Sequence, residues 1–200
     1  EIIRLSDYAH SLELEVGISF FNTDDILDFK SRIDEFDFFK LPSAELTNID
    51  LIETLLSKKR HLYLSTGAHL ETEIEQIFNR LPRNGWTPLH CISNYPSKTE
   101  NAKLGYISYL AEKWNRDVGY SSHDEFWEVC LLALCQGAKI IERHITFDKL
   151  SDGLDHSSSS TPEEFQKLTE IAKNFETLSK GNAARAPNQG ERLNRQNLGR

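Results

Sequence analysis

The sequence predicts an α/β protein, specifically a (β/α)8 TIM barrel of which this chain carries about six β/α units. Short apolar runs recur at intervals of about 20 to 30 residues, and an amphipathic stretch follows each of them. The runs are continuously apolar, which is typical of parallel strands buried on both faces. An open, doubly wound sheet can also hold six strands. Polar residues follow nearly every run, however, and in a barrel these strand ends converge on one face, so we favour the barrel.

Six strands are predicted from apolar or aromatic runs of four to seven residues: Gly17 to Asn22, Phe38 to Leu41, His61 to Ser65, Pro88 to Ser93, Val118 to Ser121 and Ile140 to Thr146. A complete barrel has eight strands, so we expect the first two to be missing from this chain. The six that remain would leave two exposed edges. We therefore expect such a fragment to be unstable alone.

Five helices are predicted between and after the strands, because apolar residues recur there three and four positions apart. They are Ile49 to Lys58, Glu71 to Leu81, Leu104 to Trp114, Glu125 to Cys135 and Pro162 to Leu178. The last has the clearest start, since Thr161 is a good N-cap and Pro162 suits the first helical position.

Residues 1–180 are assigned to the barrel and residues 181–200 to a linker. The segment after Gly181 has almost no apolar content and carries four arginines against the single acid Glu191. A frayed terminus would have the same composition, so that alternative stays open. The chain contains no Met and starts with Glu1, so we expect it to be a segment of a longer protein.

The composition indicates a globular protein and argues against nucleic-acid-binding and membrane-spanning proteins. Hydrophobic residues make up 38% and charged residues 27% of the chain, which is the balance of a globular protein. A formal net charge of -8 works against binding to nucleic acid or to anionic membranes. No apolar run approaches the roughly 20 residues of a membrane helix. The three cysteines lack CxxC spacing and are expected to be reduced thiols. We therefore expect a cytoplasmic protein without nucleic-acid or membrane partners.

Two histidines, His123 and His144, each follow a short apolar strand, and they are one β/α unit apart. That spacing would place them side by side at the mouth of a barrel, where neutral imidazoles can hold a divalent transition metal. For either one alone, a hydrogen-bonded structural histidine is the simpler interpretation; two at equivalent positions favour a metal site. Asp155, in the following Gly-containing loop, is a candidate outer or substrate contact.

Lys40 ends an aromatic strand in the string FFKLPSAE, which also contains Ser43 and Glu45. Three roles for this lysine are open. The ammonium can pair with a phosphate or carboxylate, or the amine can form a Schiff base with a carbonyl. Alternatively, it is a surface lysine whose stem covers the preceding Phe residues.

Ser65, Ser93 and Ser121 follow three further strands. In the string LYLSTG, Ser65 begins a turn that can present hydroxyl and N–H donors to a phosphate, although the same string is also an ordinary β/α turn. Several hydroxyls around one ring, together with a lysine, predict a phosphate-binding rim. No GxSxG elbow is present, which argues against a serine nucleophile.

Taken together, these strings resemble the N-acetylneuraminate (sialic acid) synthase family. The matching strings, in the family's order and spacing, are FFKLPSAELTN, LYLSTG, PLHCISNYPS, VGYSSH, GAKIIERHITFDK and GLDHSSSSTPEEF. The resemblance implies condensation of phosphoenolpyruvate with an N-acylated hexosamine, either N-acetylmannosamine or a diacetamido-dideoxy sugar. The product is a nine-carbon sialic-acid-type 2-keto acid, and phosphate is released.

The resemblance also implies a divalent metal and a partner subunit. Imidazole ligands favour Mn²⁺ over Mg²⁺, although Mg²⁺ stays open. Members carry a small C-terminal antifreeze-like domain, which would follow residue 200 and reach the partner's active site in a domain-swapped homodimer.

Site residues follow from the resemblance by motif. His123 and His144 correspond to the metal ligands. The phosphoenolpyruvate rim comprises Lys40, Thr23, Ser43, Ser65, Ser93 and Ser121. The sugar side comprises Glu45, Tyr95 and Asp155, with Glu45 as the candidate acid/base.

Ser122 departs from the family's usual Ser-Asp-His pattern. The change removes a carboxylate that could orient the imidazole of His123. Two competing functions therefore stay open: a Schiff-base aldolase that uses Lys40, and a non-catalytic carbohydrate-binding relative.

Overall fold

A computed structural model describes residues 1–180 and 184–199 of the chain. Six parallel strands form one sheet in the order of the sequence. The strands are β1 (Gly17–Ser19), β2 (Phe38–Leu41), β3 (His61–Ser65), β4 (Trp86–Cys91), β5 (Gly119–Ser122) and β6 (Ile140–Arg143). All six predicted strands are present, and each pairs in parallel with its neighbour in sequence.

Helices connect and flank the strands. They are α1 (Ile2–Ser11), α2 (Thr23–Phe29), α3 (Ile49–Ser57), α4 (Glu71–Phe78), α5 (Gly105–Trp114), α6 (Val129–Cys135), α7 (Pro162–Ser179) and α8 (Gln189–Asn197). The predicted start of α7 is confirmed, because Thr161 caps the backbone N–H of Glu164 and Pro162 is the first helical residue. No helix of the described ranges is both long enough and apolar enough to cross a bilayer.

The sheet is strongly curled. Lys40 on β2 and Glu142 on β6 stand four strands apart, yet Nζ of the lysine lies 3.2 Å from a carboxylate oxygen of the glutamate. In a flat sheet, four strand spacings would separate them by roughly 19 Å. The six strands therefore form a curled half-barrel, as the predicted (β/α)8 class with six units requires.

Alternation along the strands decides which side chains reach the centre. Phe39 and Leu41 are fully buried against the helices, in register with Leu62 and Leu64 of the next strand. Each such leucine contributes about 1.5–3 kcal/mol through burial. The residue between Phe39 and Leu41 is Lys40, so it points to the opposite face and into the barrel. Hydrophobic packing on the outside thus fixes the lysine inside.

A pocket borders the two edge strands of the half-barrel, β1 and β6. A cavity of about 390 Å³ is lined by residues of β1 and β6 together with Phe38, Tyr63 and Phe165. Gly17 on β1 is needed here, because a Cβ at this position would collide with the ring of Phe38.

Some element bounds differ from those predicted. β4 ends at Cys91 instead of Ser93, and β6 ends at Arg143 instead of Thr146. The last β6 residue pairs with Ser122, where β5 itself ends, so the chain beyond Arg143 has no ladder partner on that side.

The predicted linker contains a helix. Residues 181–183 and 200 lie outside the described residues. In the remainder, α8 forms despite the polar composition, because Asn188 and Glu191 make a reciprocal capping box. Every described residue of this segment except Glu191 is exposed.

Candidate functional site

A cleft of about 460 Å³ opens at the carboxyl ends of the strands. It is lined by eight of the eleven residues predicted for the site: Lys40, Ser43, Ser65, Tyr95, Ser121, His123, His144 and Asp155. They come from β2, β3 and β5 and from the segments after β2, β4, β5 and β6. Barrel topology brings them together although more than a hundred residues separate the first from the last.

The two predicted metal-binding histidines are neighbours. The ring centroids of His123 and His144 are 5.3 Å apart, with the planes inclined by 48°. The ring of Tyr95 packs 4.3 Å from that of His123 and 6.4 Å from that of His144. The tyrosine therefore covers one side of the imidazole pair and faces the cleft with them.

Both imidazoles are held in the neutral form. Burial lowers the pKa of His123, and burial together with the neighbouring His123 lowers the pKa of His144. Nδ1 of His123 lies 3.2 Å from the carbonyl oxygen of Ile92, to which it donates if it carries the ring proton. That tautomer leaves Nε2 with a free lone pair, the form in which histidine binds a metal.

The residues fit a divalent cation in part. Two neutral imidazoles side by side are typical donors for a transition metal. Asp155 is close by, with a carboxylate oxygen 4.0 Å from Nδ1 of His144. Over residues 1–180 and 184–199, no three His, Cys, Asp or Glu side chains converge as a complete metal site. A cation bound here would therefore keep open positions for water or substrate, as catalytic metals do.

Lys40 is largely buried and paired. Its side chain is 13% exposed, against 39% for Glu142. The 3.2 Å contact is an ion pair without hydrogen-bond geometry. The ammonium lines the cleft beside this carboxylate.

The serine hydroxyl groups of the cleft differ in their hydrogen bonds. Ser43 Oγ accepts a hydrogen bond from the backbone N–H of Gly67 at 3.0 Å. A Cβ at Gly67 would lie 2.8 Å from Ser43 Oγ and would collide with the Ser93 hydroxyl. Ser65 is 1% exposed, and its hydroxyl has no hydrogen-bond partner among the residues that the structure describes. A buried hydroxyl without a partner is destabilising unless a ligand or water completes it.

Three predicted residues are not part of the cleft lining: Thr23, Glu45 and Ser93. Thr23 is the first residue of α2 and is exposed. Glu45 turns toward Asn48, whose side-chain amide donates to its carboxylate at 2.9 Å. Ser93 lies two residues beyond the end of β4, with its hydroxyl 3.9 Å from Cys91 Sγ.

Six lining residues were missed by the sequence analysis, and Cys91 and Glu142 are the two with ionisable side chains. Glu142 is two positions before His144, so strand alternation alone would have placed both on the interior face. Cys91 occupies the strand end that was predicted at Ser93. Its Sγ lies 3.7 Å from Nδ1 of His123 and 3.5 Å from the Ser43 hydroxyl.

Comparison with known proteins identifies the family. The family model described as NeuB matches residues 1–184. The chain belongs to the NeuB family. It is 34% identical over 194 residues to the N,N'-diacetyllegionaminic acid synthase of Legionella pneumophila, which covers 94% of this chain and 54% of that protein. It is 32% identical over 176 residues to the N-acetylneuraminate-9-phosphate synthase of Drosophila melanogaster, covering 86% of this chain and 47% of that protein.

A solved structure agrees with the fold. The N-acetylneuraminic acid synthetase of Leptospira borgpetersenii, in complex with citrate, has a TM-score of 0.83 and 30% identity, and the match covers 100% of this chain and 70% of that one. The chain spans about half the length of the two curated NeuB relatives named above.

Proposed function

We propose that the protein condenses phosphoenolpyruvate with an N-acylated hexosamine to give a nine-carbon 2-keto acid and phosphate, in a reaction that depends on a divalent metal. The single observation that carries the proposal is that Lys40, the buried Ser65 hydroxyl and the His123–His144 pair share one cleft. The names of the relatives support the same class of product, since both are synthases of acidic nine-carbon sugars.

The charge of the cleft supports a requirement for a metal. Its lining carries one cation, Lys40, against two carboxylates, Glu142 and Asp155, while both histidines are neutral. Phosphoenolpyruvate is itself a multiply charged anion, so a cleft of negative formal charge would repel it. A divalent cation held by His123 and His144 would reverse that charge, and it would also polarise the sugar aldehyde. Imidazole donors favour Mn²⁺.

The chain's own residues supply orientation in the proposed reaction. The Lys40 ammonium and the Ser65 and Ser121 hydroxyls would hold the phosphate and carboxylate groups. The methylene carbon of phosphoenolpyruvate then bonds to the aldehyde carbon, water adds at the carbon that bears the phosphate, and C–O cleavage releases phosphate. Fixing two reactants in this way accounts for a large part of the rate enhancement in such bimolecular reactions.

The sugar side rests on fewer contacts. Tyr95 and Asp155 line the cleft beside the histidines and are the proposed sugar contacts. Glu45, proposed as the acid/base, would have to exchange its hydrogen bond from Asn48 for one to the sugar. Thr23 and Ser93 stay proposed phosphoenolpyruvate contacts, although neither lines the cleft. A domain-swapped homodimer and a cytoplasmic location also stay proposals.

Phosphate release tests the reaction. With the gene product at its full natural length, release from phosphoenolpyruvate should require both Mn²⁺ and an N-acyl hexosamine, and chelation should abolish it. The exposed Lys139→Gln should serve as a control for Lys40→Gln, which should lose most activity. Sugar binding without any phosphate release would instead favour the non-catalytic relative.

Metal binding is tested without turnover. Mn²⁺ at 100 times its Kd should stabilise the protein by about 2.7 kcal/mol and so raise the Tm. The shift should vanish in His123→Ala and in His144→Ala. An equal shift in these variants would place the cation elsewhere.

A further inference from the structure

We propose that Asp124, acting through Ser122 and Arg143, is the positioning group that fixes the two imidazoles relative to each other. The inference rests on the proposed metal-dependent function and deepens it. Asp124 does not line the cleft, so its effect on His123 and His144 is indirect.

Asp124 is a buried carboxylate directly beside one of the two histidines. It directly follows His123 and is 1% exposed, as is Ser122 on the other side of the histidine. Its Oδ2 accepts hydrogen bonds from the Tyr120 hydroxyl at 2.6 Å and from the Ser122 hydroxyl at 2.8 Å. A buried charge persists only where hydrogen bonds and an opposite charge offset its desolvation. Arg143 reaches this carboxylate only through the Ser122 hydroxyl, and Oδ1 of Asp124 has no hydrogen-bond partner among the described residues.

Arg143 connects this carboxylate to the second imidazole. It directly precedes His144, and its Nη1 donates to the Ser122 hydroxyl at 2.8 Å. Ser122 thereby accepts from the arginine and donates to Asp124. Nη2 of the arginine donates to the backbone carbonyl of Asp124 at 3.0 Å.

The third nitrogen of the Arg143 guanidinium, Nε, connects the loop after β6 to the same network. Arg143 Nε donates to the Ser160 hydroxyl at 2.6 Å, and the backbone N–H of Ser160 donates to the carbonyl of His144 at 2.9 Å. On the other side, the backbone N–H of Ser97 donates to the carbonyl of His123 at 2.8 Å. Each histidine is therefore flanked by anchored residues.

The serine at position 122 thus does not leave the site without a carboxylate. The acid lies on the other side of His123 and reaches Arg143 through the Ser122 hydroxyl. Because that hydroxyl is 2.8 Å from Nη1, a carboxylate at position 122 would contact the arginine directly. The geometry therefore predicts that a carboxylate at position 122 can replace the one at position 124 and still position the imidazoles.

Affinity for Co²⁺, followed by its absorption spectrum, tests this role with the metal alone. Asp124→Asn should weaken Co²⁺ binding by about 10- to 100-fold, the range typical when an orienting partner of a ligand is lost. The double variant Ser122→Asp/Asp124→Ser should recover most of the affinity. The exposed Asp117→Asn is the matched control and should bind like the wild type.

The outcomes separate this inference from the proposed function. Unchanged Co²⁺ affinity in a folded Asp124→Asn would overturn the positioning role. If that variant does not fold, Ser122→Ala decides in the same way, since it removes only the bridging hydroxyl. If the wild type itself binds no Co²⁺, the metal-dependent function fails. Crystal structures of metal-free wild type and variant then test the positioning: an unchanged 5.3 Å separation of the imidazoles would overturn it, and a changed one would support it.

Discussion

The ammonium of Lys40 and the carboxylate of Glu142 form an ion pair across the barrel interior, 3.2 Å apart. The pair joins strands that are four positions apart in the sheet. It also places an acid beside the cation that is proposed to hold phosphoenolpyruvate. Any anion that binds at Lys40 must therefore do so next to a negative charge.

The two members of this pair should affect anion binding in opposite directions. Lys40→Gln should raise the Kd for phosphoenolpyruvate by about 10- to 100-fold, because a charge-assisted hydrogen bond contributes about 1.5–3 kcal/mol. Glu142→Gln should lower this Kd by about two- to fivefold, since it removes a repulsion that solvent partly screens. Titration calorimetry measures both. Weaker binding in both variants would show that Glu142 itself supports the anion.

Pyruvate and borohydride should leave Lys40 unmodified. A Schiff base requires attack by a free amine, whereas Nζ of Lys40 lies 3.2 Å from a carboxylate oxygen of Glu142 and is proposed to bind an anion as a cation. Mass spectrometry after reduction should find the peptide containing Lys40 at its unmodified mass. A mass increase on this peptide, absent in Lys40→Gln, would support the aldolase instead.

Acid should destabilise the fold partly through His90. Burial lowers the pKa of this imidazole, whose Nε2 lies 2.7 Å from the carbonyl oxygen of Ala102. The unfolded chain takes up the proton near pH 6.5, and the folded chain only at lower pH. Between these values, the free energy of unfolding falls as the pH falls.

His90→Gln should therefore lower the slope of stability against pH below about 6.5, by up to about 1.4 kcal/mol per pH unit. The other histidines with a lowered pKa should keep part of the slope in the variant. Urea unfolding at pH 5.5 to 7.5 measures it. Parallel curves for variant and wild type would contradict the assignment.

Gly17→Ala should destabilise the protein by about 1–3 kcal/mol, because the new methyl group overlaps the Phe38 ring. Phe38→Leu should recover part of this loss in the double variant, so the two changes should not be additive. Gly105→Ala in α5 is the control, since no atom lies within 4 Å of its added Cβ. Thermal unfolding of the wild type, the two single variants and the double variant gives the coupling.

The strands and most of the cleft could be predicted because both depend on local patterns. Each apolar run fixes a strand, and parallel topology brings the residues at its carboxyl end to one face. Lys40, Ser65, His123 and His144 were found in this way, and all line the cleft.

The contacts that depend on exact strand ends could not be predicted. A difference of two residues at the end of β4 replaced Cys91 by Ser93 in the predicted rim. Glu142 was passed over although it shares a face with His144. Asp124 was not predicted, because its proposed role depends on a contact with a buried arginine that lies 19 residues further along the chain.

The glycine at position 67 limits which positions beside the cleft tolerate a larger residue. A Cβ there would collide with the Ser93 hydroxyl and would lie 2.8 Å from the Ser43 hydroxyl, which itself accepts from the Gly67 N–H. A mutant library varied at this position would therefore lose many of its members. Diversity is better introduced at Leu154, which borders the same opening and is 87% exposed.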